Sequence, residues 1–318
     1  MNDARLAATS AIAPALWGTT YLVTTEFLPP DRPLLAGTIR SLPAGLLLIG
    51  VVTALAGRQA LPPGPWWWRS VVLGTLNIGL FFALLFVAAY RLPGGVAAML
   101  GAVAPFIVAG LALVLLGERP RGRVLTASAI GAAGLALLLL RSAIVLDPIG
   151  LAASAGAVLA MSLGTVLGRR WGIPPGHTGR TTALAALTGW QLTVGGLLLS
   201  LVTLTVEGAP PALTLTNLGG FAYLTLLGTA FAYFLWFRGV TSLAPTQVTL
   251  LSILSPVVAA MLGWVVLDQA LTVGQLIGAA AVLGAVVLGA SSGSSLRQPS
   301  RADGPAPAQT PALEATRP

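Results

Sequence analysis

The chain alternates between long apolar runs and short clusters of proline, glycine and arginine. Ten apolar runs stand out, at 6–27, 33–56, 67–90, 95–116, 123–141, 148–168, 181–206, 214–237, 245–267 and 272–291. At a rise of about 1.5 Å per residue, runs of this size cross a hydrocarbon layer of about 30 Å as helices. The third and fourth runs are separated only by Arg91-Leu92-Pro93-Gly94-Gly95, and the eighth and ninth by Arg238 to Ala244, so each pair is expected to form a tight helical hairpin. The stretch 291–318 is rich in Ser, Pro, Ala and Gln. It cannot bury a core and is expected to be a disordered cytoplasmic tail. The pattern predicts an all-α membrane protein with ten transmembrane helices.

Composition narrows the classes further. Of 318 residues, 56% are apolar and only 8% charged, against about 25% charged in soluble domains. An ordinary cytosolic enzyme, a disulfide-built secreted fold and a nucleic-acid binder are thereby excluded. With no cysteine there is no disulfide and no thiolate metal site. All 17 basic residues are arginine. With the N-terminus inside, thirteen fall on inner segments (residues 5, 58, 69, 119, 121, 123, 169, 170, 180, 238, 297, 301 and 317). Three fall outside (32, 91 and 141), and Arg40 lies within a span. Retention of positive charge on the cytoplasmic side therefore supports ten spans, with both termini in the cytoplasm.

Features recur when the chain is displaced by about 150 residues. Gly18-Thr19 matches Gly164-Thr165, Leu73-Gly74-Thr75 matches Leu227-Gly228-Thr229, and Pro105 matches Pro256. The division expected is a first five-helix repeat over 1–143 and a second over 144–290. Because five is odd, the second copy enters the membrane inverted, the usual architecture of alternating-access transporters with a midplane site. Pro105 and Pro256 are hinge candidates, each expected to free a carbonyl one turn earlier, at Gly101 and Ser252.

Several motifs resemble the EamA branch of the drug/metabolite transporter superfamily. They are Ala15-Leu16-Trp17-Gly18-Thr19-Thr20-Tyr21, the stretch from Gly228 to Gly239, Leu254-Ser255-Pro256-Val257-Val258-Ala259, and Leu116-Gly117-Glu118-Arg119. The resemblance covers residues 6 to about 290, extends to the YddG-type amino-acid exporters as the preferred relatives, and implies ten helices in two inverted repeats. It also implies export of amino acids or other metabolites across the bacterial inner membrane. One departure is Asp268-Gln269, where the second repeat often carries Glu.

A polar side chain in mid-span should face the protein interior or a hydrated cavity. That filter selects Trp17, Thr20, Asn77, Ser162, Gln191, Tyr233, Gln247 and Ser252, with Phe81 and Met99 as apolar lining. Asn77 and Phe81, four apart, are expected to share a face. Trp66, Trp67 and Trp68 read as interface-belt residues, and small residues at 127, 131, 134, 274 and 278 as packing faces of peripheral fifth and tenth helices. Arg40 either receives a substrate carboxylate or pairs with Glu26, the pair being favoured. All nine acids lie at span ends, in loops or in tails, and His177 lies in an inner loop. With no titratable group in mid-span, the expectation is uncoupled export of a neutral amino acid by a monomer embedded in lipid, with no cofactor or metal and no enzyme chemistry. Export of drugs or other small metabolites is the alternative.

Overall fold

In the computed structural model the described residues are 3–91, 101, 103–139, 147–266, 268 and 272–290. They form ten helical spans: α1 (Asp3–Phe27), α2 (Pro33–Ala56), α3 (66–91), α4 (Ala104–Leu116), α5 (Gly122–Leu139), α6 (Pro148–Trp171), α7 (Arg180–Val206), α8 (Leu215–Val240), α9 (Pro245–Val266) and α10 (Val273–Ala290). Seven are long and apolar enough to cross a membrane. Of the three shorter ones, α4, α5 and α10, the last two end against residues outside the described set. Met99, Arg141 and the tail 291–318 also lie outside it.

The packing has a two-fold pattern. Helix α2 packs on α7, α5 on α10 and α4 on α9; α1 packs on α8 and α9, while α6 packs on α3 and α4. Exchanging each helix for the one five places along the chain maps these pairings onto one another, as expected of two inverted five-helix repeats. The backbone repeats as well. In α3, residues Thr75–Leu80 form a π-helical segment, and in α8 so do Leu226–Phe231, displaced by 151 positions. Pro105 and Pro256 share that displacement. The Leu-Gly-Thr match noted in the sequence is therefore about one helical turn out of structural register.

Close approach of α2 and α7 is made by glycines at equivalent places. A Cβ at Gly45 would lie 2.5 Å from the Thr193 nitrogen, and one at Gly196 would lie 2.7 Å from the Leu42 Cα. Both relations obey the same 151-residue displacement. Between α5 and α10, Gly134 and Gly278 face each other's backbone, and Gly131 meets Ala285. Near Gly274, also expected in that stripe, the described residues include only Thr272, and the segment after Leu139 lies outside the described set.

Two of the acids serve as caps at helix N-termini. The Glu207 carboxylate accepts from the backbone N–H of Leu34 at 2.6 Å and of Leu35 at 2.9 Å, capping α2 from the end of α7. At the opposite end of this helix pair, the Gln59 side chain accepts from the Thr178 N–H at 2.7 Å, just before α7. Asp147 caps α6 through the Gly150 N–H. Carboxylates at helix N-termini are stabilised by the helix dipole.

Two expectations about the proline helices and the tryptophans need correction. Helix α9 is interrupted at Ser252-Ile253 and restarts at Leu254, so Pro256 lies near the start of a half-helix, as Pro105 does in α4. The Ser252 carbonyl is not left free, because the Ser255 N–H donates to it at 3.1 Å. A tighter turn satisfies the group that proline cannot reach. Trp67 and Trp68 are exposed, as belt residues should be, but Trp66 is 2% exposed and packs on Trp190 in the core.

Candidate transport site

The site is built where the two π-helical segments meet α2 and α7. A π-helical turn widens the helix and breaks the usual i to i−4 ladder, leaving backbone groups for other partners. At the α8 segment those partners come from Arg40. Its Nε donates to the Thr229 hydroxyl and its Nη2 to the Gly228 carbonyl, both at 2.9 Å. The guanidinium also lies 5.5 Å from the Phe82 ring centre. Arg40 is 6% exposed, and among the described residues no carboxylate is within ion-pair reach of it. Glu26 is exposed and makes no such pair, which overturns the expected Arg40–Glu26 bridge. Arg40 reaches across from α2 to α8, while Glu26 at the end of α1 is exposed.

The equivalent place at the α3 segment is occupied by an amide pair. Gln191 stands 151 positions after Arg40, and its Oε1 accepts from the Asn77 Nδ2 at 2.8 Å. The Gln191 Nε2 reaches the Leu187 carbonyl at 3.4 Å. Since that carbonyl can only accept, the Gln191 amide orientation is set, and Asn77 must donate in turn. The Asn77 Oδ1 is left buried without a partner. It fits against Gly164 of α6, where a Cβ would overlap the amide.

An aromatic wall closes the space between α1 and α8. The Trp17 ring centre is 5.0 Å from that of Tyr233 and 5.1 Å from that of Trp236, and Tyr233 is 5.6 Å from Phe237. These are favourable tilted aromatic distances. Phe81 and Phe82 adjoin at 5.4 Å and belong to the same apolar cluster. Trp17 Nε1, Trp236 Nε1, Thr20 Oγ1 and Ser162 Oγ are all buried without partners. In a nonpolar surrounding each unpaired group costs free energy, so such a concentration marks a place that water or a ligand can satisfy.

Of the sequence candidates, the structure gathers Trp17, Arg40, Asn77, Gln191 and Tyr233 on the helices that meet at the π-helical segments; Thr20 and Phe81 share α1 and α3 with them, and Ser162 lies on α6. Two other candidates lie elsewhere. Gln247 reaches the Gly289 carbonyl at 3.4 Å, tying α9 to α10, and Ser252 donates to the Thr249 carbonyl at the helix interruption. Met99 is outside the described residues. Trp236, which the sequence places on one face with Tyr233, does join the aromatic wall, whereas Phe82, Gly228 and Thr229 are missed as site residues. Phe82 is five residues after Asn77, the spacing that a π-helical turn aligns, whereas an α-helical reading selects Phe81.

Helical spans in two repeats around a polar, aromatic-walled centre define a multi-pass membrane transporter. The chain belongs to the EamA-like transporter family, whose model matches it twice, over residues 6–140 and 148–290. It is similar to Protein PecM of Dickeya dadantii, with 46% identity over 276 residues, 87% of this chain and 89% of the relative. A WAT1-related chloroplastic protein of Arabidopsis thaliana is 28% identical over 86% of this chain and 66% of its own length. The uncharacterized inner membrane transporter YedA of Escherichia coli is 27% identical over 78% of each chain. A solved crystal structure aligns with a TM-score of 0.74 over 89% of this chain and 96% of its own, at 20% identity, a likeness of fold alone.

Proposed function

We propose that the protein exports neutral amino acids, aromatic ones among them, across a bacterial inner membrane by alternating access and without proton coupling. The observation that carries this reading is Arg40, a buried guanidinium that has no carboxylate partner among the described residues and lies over Phe82, a member of the apolar cluster that includes Trp17 and Tyr233. A guanidinium offers a planar fork matched to a carboxylate. The faces of Trp17 and Tyr233 suit an ammonium group or an apolar side chain. A zwitterion with a moderately apolar body satisfies both. Cationic drugs would meet the Arg40 charge with no acid to offset it, so they fit less well.

The uncoupled mechanism rests on where the acids lie. Proton-coupled carriers use a titratable group within the membrane. Here Glu207 and Asp147 cap helix ends, Glu118 pairs with Arg169 beyond the end of α4, and Glu26 is exposed. The outward direction is taken from the resemblance to amino-acid exporters, and alternating access from the inverted repeats.

Reconstituted liposomes loaded with a panel of labelled amino acids test the reading. Counterflow of neutral amino acids that does not change when a pH gradient is imposed or collapsed is the expected result. Transport that follows the pH gradient would overturn the uncoupled mechanism. Failure of every amino acid in the panel, with protein shown to be folded, would overturn the substrate class.

A further inference from the structure

Outside the central site, an arginine is enclosed by tryptophan at one end of the bundle. Arg69 lies in the first turn of α3, and its guanidinium carbon is 5.4 Å from the Trp66 ring centre, 5.6 Å from Trp171 and 5.7 Å from Trp68. The cage is itself braced. Trp68 meets Trp171 edge-on at 5.0 Å, and Trp66 leans on Trp190 at 6.5 Å. The Trp190 indole N–H donates to the Ala60 carbonyl at 2.7 Å. Residues of α3, α6 and α7 thus hold one guanidinium in a fixed place.

Indole faces attract a cation but do not neutralise it. Among the described residues no carboxylate lies within ion-pair reach of Arg69, and its Nε is buried without a partner. Arg170, next to Trp171 in the chain, is exposed, as is Arg58. Trp68 of the cage and its neighbour Trp67 are 51% and 58% exposed, as expected of tryptophans at a membrane–water interface. The arginine distribution assigns this end of α3 to the cytoplasmic side, where anionic lipid headgroups are concentrated.

We propose that the Arg69 cage is a binding site for the phosphate of an anionic phospholipid of the inner leaflet. The guanidinium supplies charge-assisted hydrogen bonds to phosphate oxygens. Arg170 adds to the local positive potential. The acyl chains lie against the exposed ring of Trp68 at the edge of the cage. Stacking on three rings fixes the donor before the lipid arrives, which lowers the ordering cost of binding. This site is independent of the transport substrate.

The experiment uses the full chain, delipidated in a neutral detergent, with phosphatidylglycerol, phosphatidylcholine and inorganic phosphate added separately. Phosphatidylglycerol is expected to raise the thermal unfolding midpoint, and the other two are not. Arg69→Gln should weaken the apparent affinity for phosphatidylglycerol about fivefold, the effect of one interfacial charge. An unaltered response in Arg69→Gln would overturn the proposal. So would equal stabilisation by phosphatidylcholine, and so would a response to inorganic phosphate that matches the lipid. Should Arg69→Gln not survive purification, Arg69→Lys carries the test. It keeps the charge without the stacked fork, so a weaker response supports the site and an unchanged one overturns it.

Discussion

Arg40→Met separates a transport role from a folding role, because the two predict different magnitudes. The substitution removes the bonds to Thr229 and Gly228 and leaves the Gly228 carbonyl without that donor. An unpaired buried carbonyl costs about 1–3 kcal/mol. Against this, a mid-span arginine itself costs about 2.5–3.5 kcal/mol on insertion scales, and methionine removes that cost. The terms nearly cancel, so the unfolding midpoint in detergent should move by no more than a few degrees. A substrate carboxylate held by Arg40 is another matter. Removing one partner of a buried charge pair costs about 2–5 kcal/mol, or roughly thirtyfold or more in affinity. Counterflow in liposomes, titrated with unlabelled competitor, reads that loss directly. An unchanged half-saturation and rate in a variant of normal stability would refute the carboxylate assignment.

The packing and the aromatic wall make further predictions. Gly164→Ala should lower thermal stability by about 1–3 kcal/mol through overpacking against the Asn77 amide, and Asn77→Ala in the same chain should recover most of it. Gly45→Ala and Gly196→Ala should each destabilise the α2–α7 pair by a similar amount, a parity that thermal unfolding of the two variants would check. Tyr233→Leu should reduce counterflow while Tyr233→Phe retains the stacking on Trp17 and Phe237, a difference of about 0.5–1.5 kcal/mol per ring pair.

Lipid makes the gross fold legible in the sequence, because a spanning helix needs a long apolar run and the arginines mark one side. Helix number, order and the repeat can all be read that way. What crosses from one helix to another cannot. Depth along the chain suggests Glu26 as a partner for Arg40, but azimuth around the helix decides the matter, and it turns Arg40 toward α8. Trp66 and its neighbours are indistinguishable as a run of three indoles until the helix direction sends one inward. The π-helical segments leave no periodic signature over six residues, so the choice between Phe81 and Phe82 requires the backbone.

The frame is symmetric while its chemistry is not, and the difference bears on how a zwitterion would be held. The same displacement that relates the π-helical segments places a cation at one position and an amide at its equivalent, Arg40 and Gln191. On the proposed reading, a single charge gives the substrate carboxylate one preferred end of the site, and the aromatic wall of α1 and α8 takes the remainder. A second mid-span cation in place of Gln191 would add another insertion cost of about 2.5–3.5 kcal/mol. A mid-span acid would be worse for function. At about 4 Å and an effective dielectric constant of about 20, it would bind Arg40 with about 4 kcal/mol and compete with the substrate for the same fork. Placing the acids at helix ends, where Glu207 and Asp147 stabilise N-termini, keeps that fork free of an internal competitor.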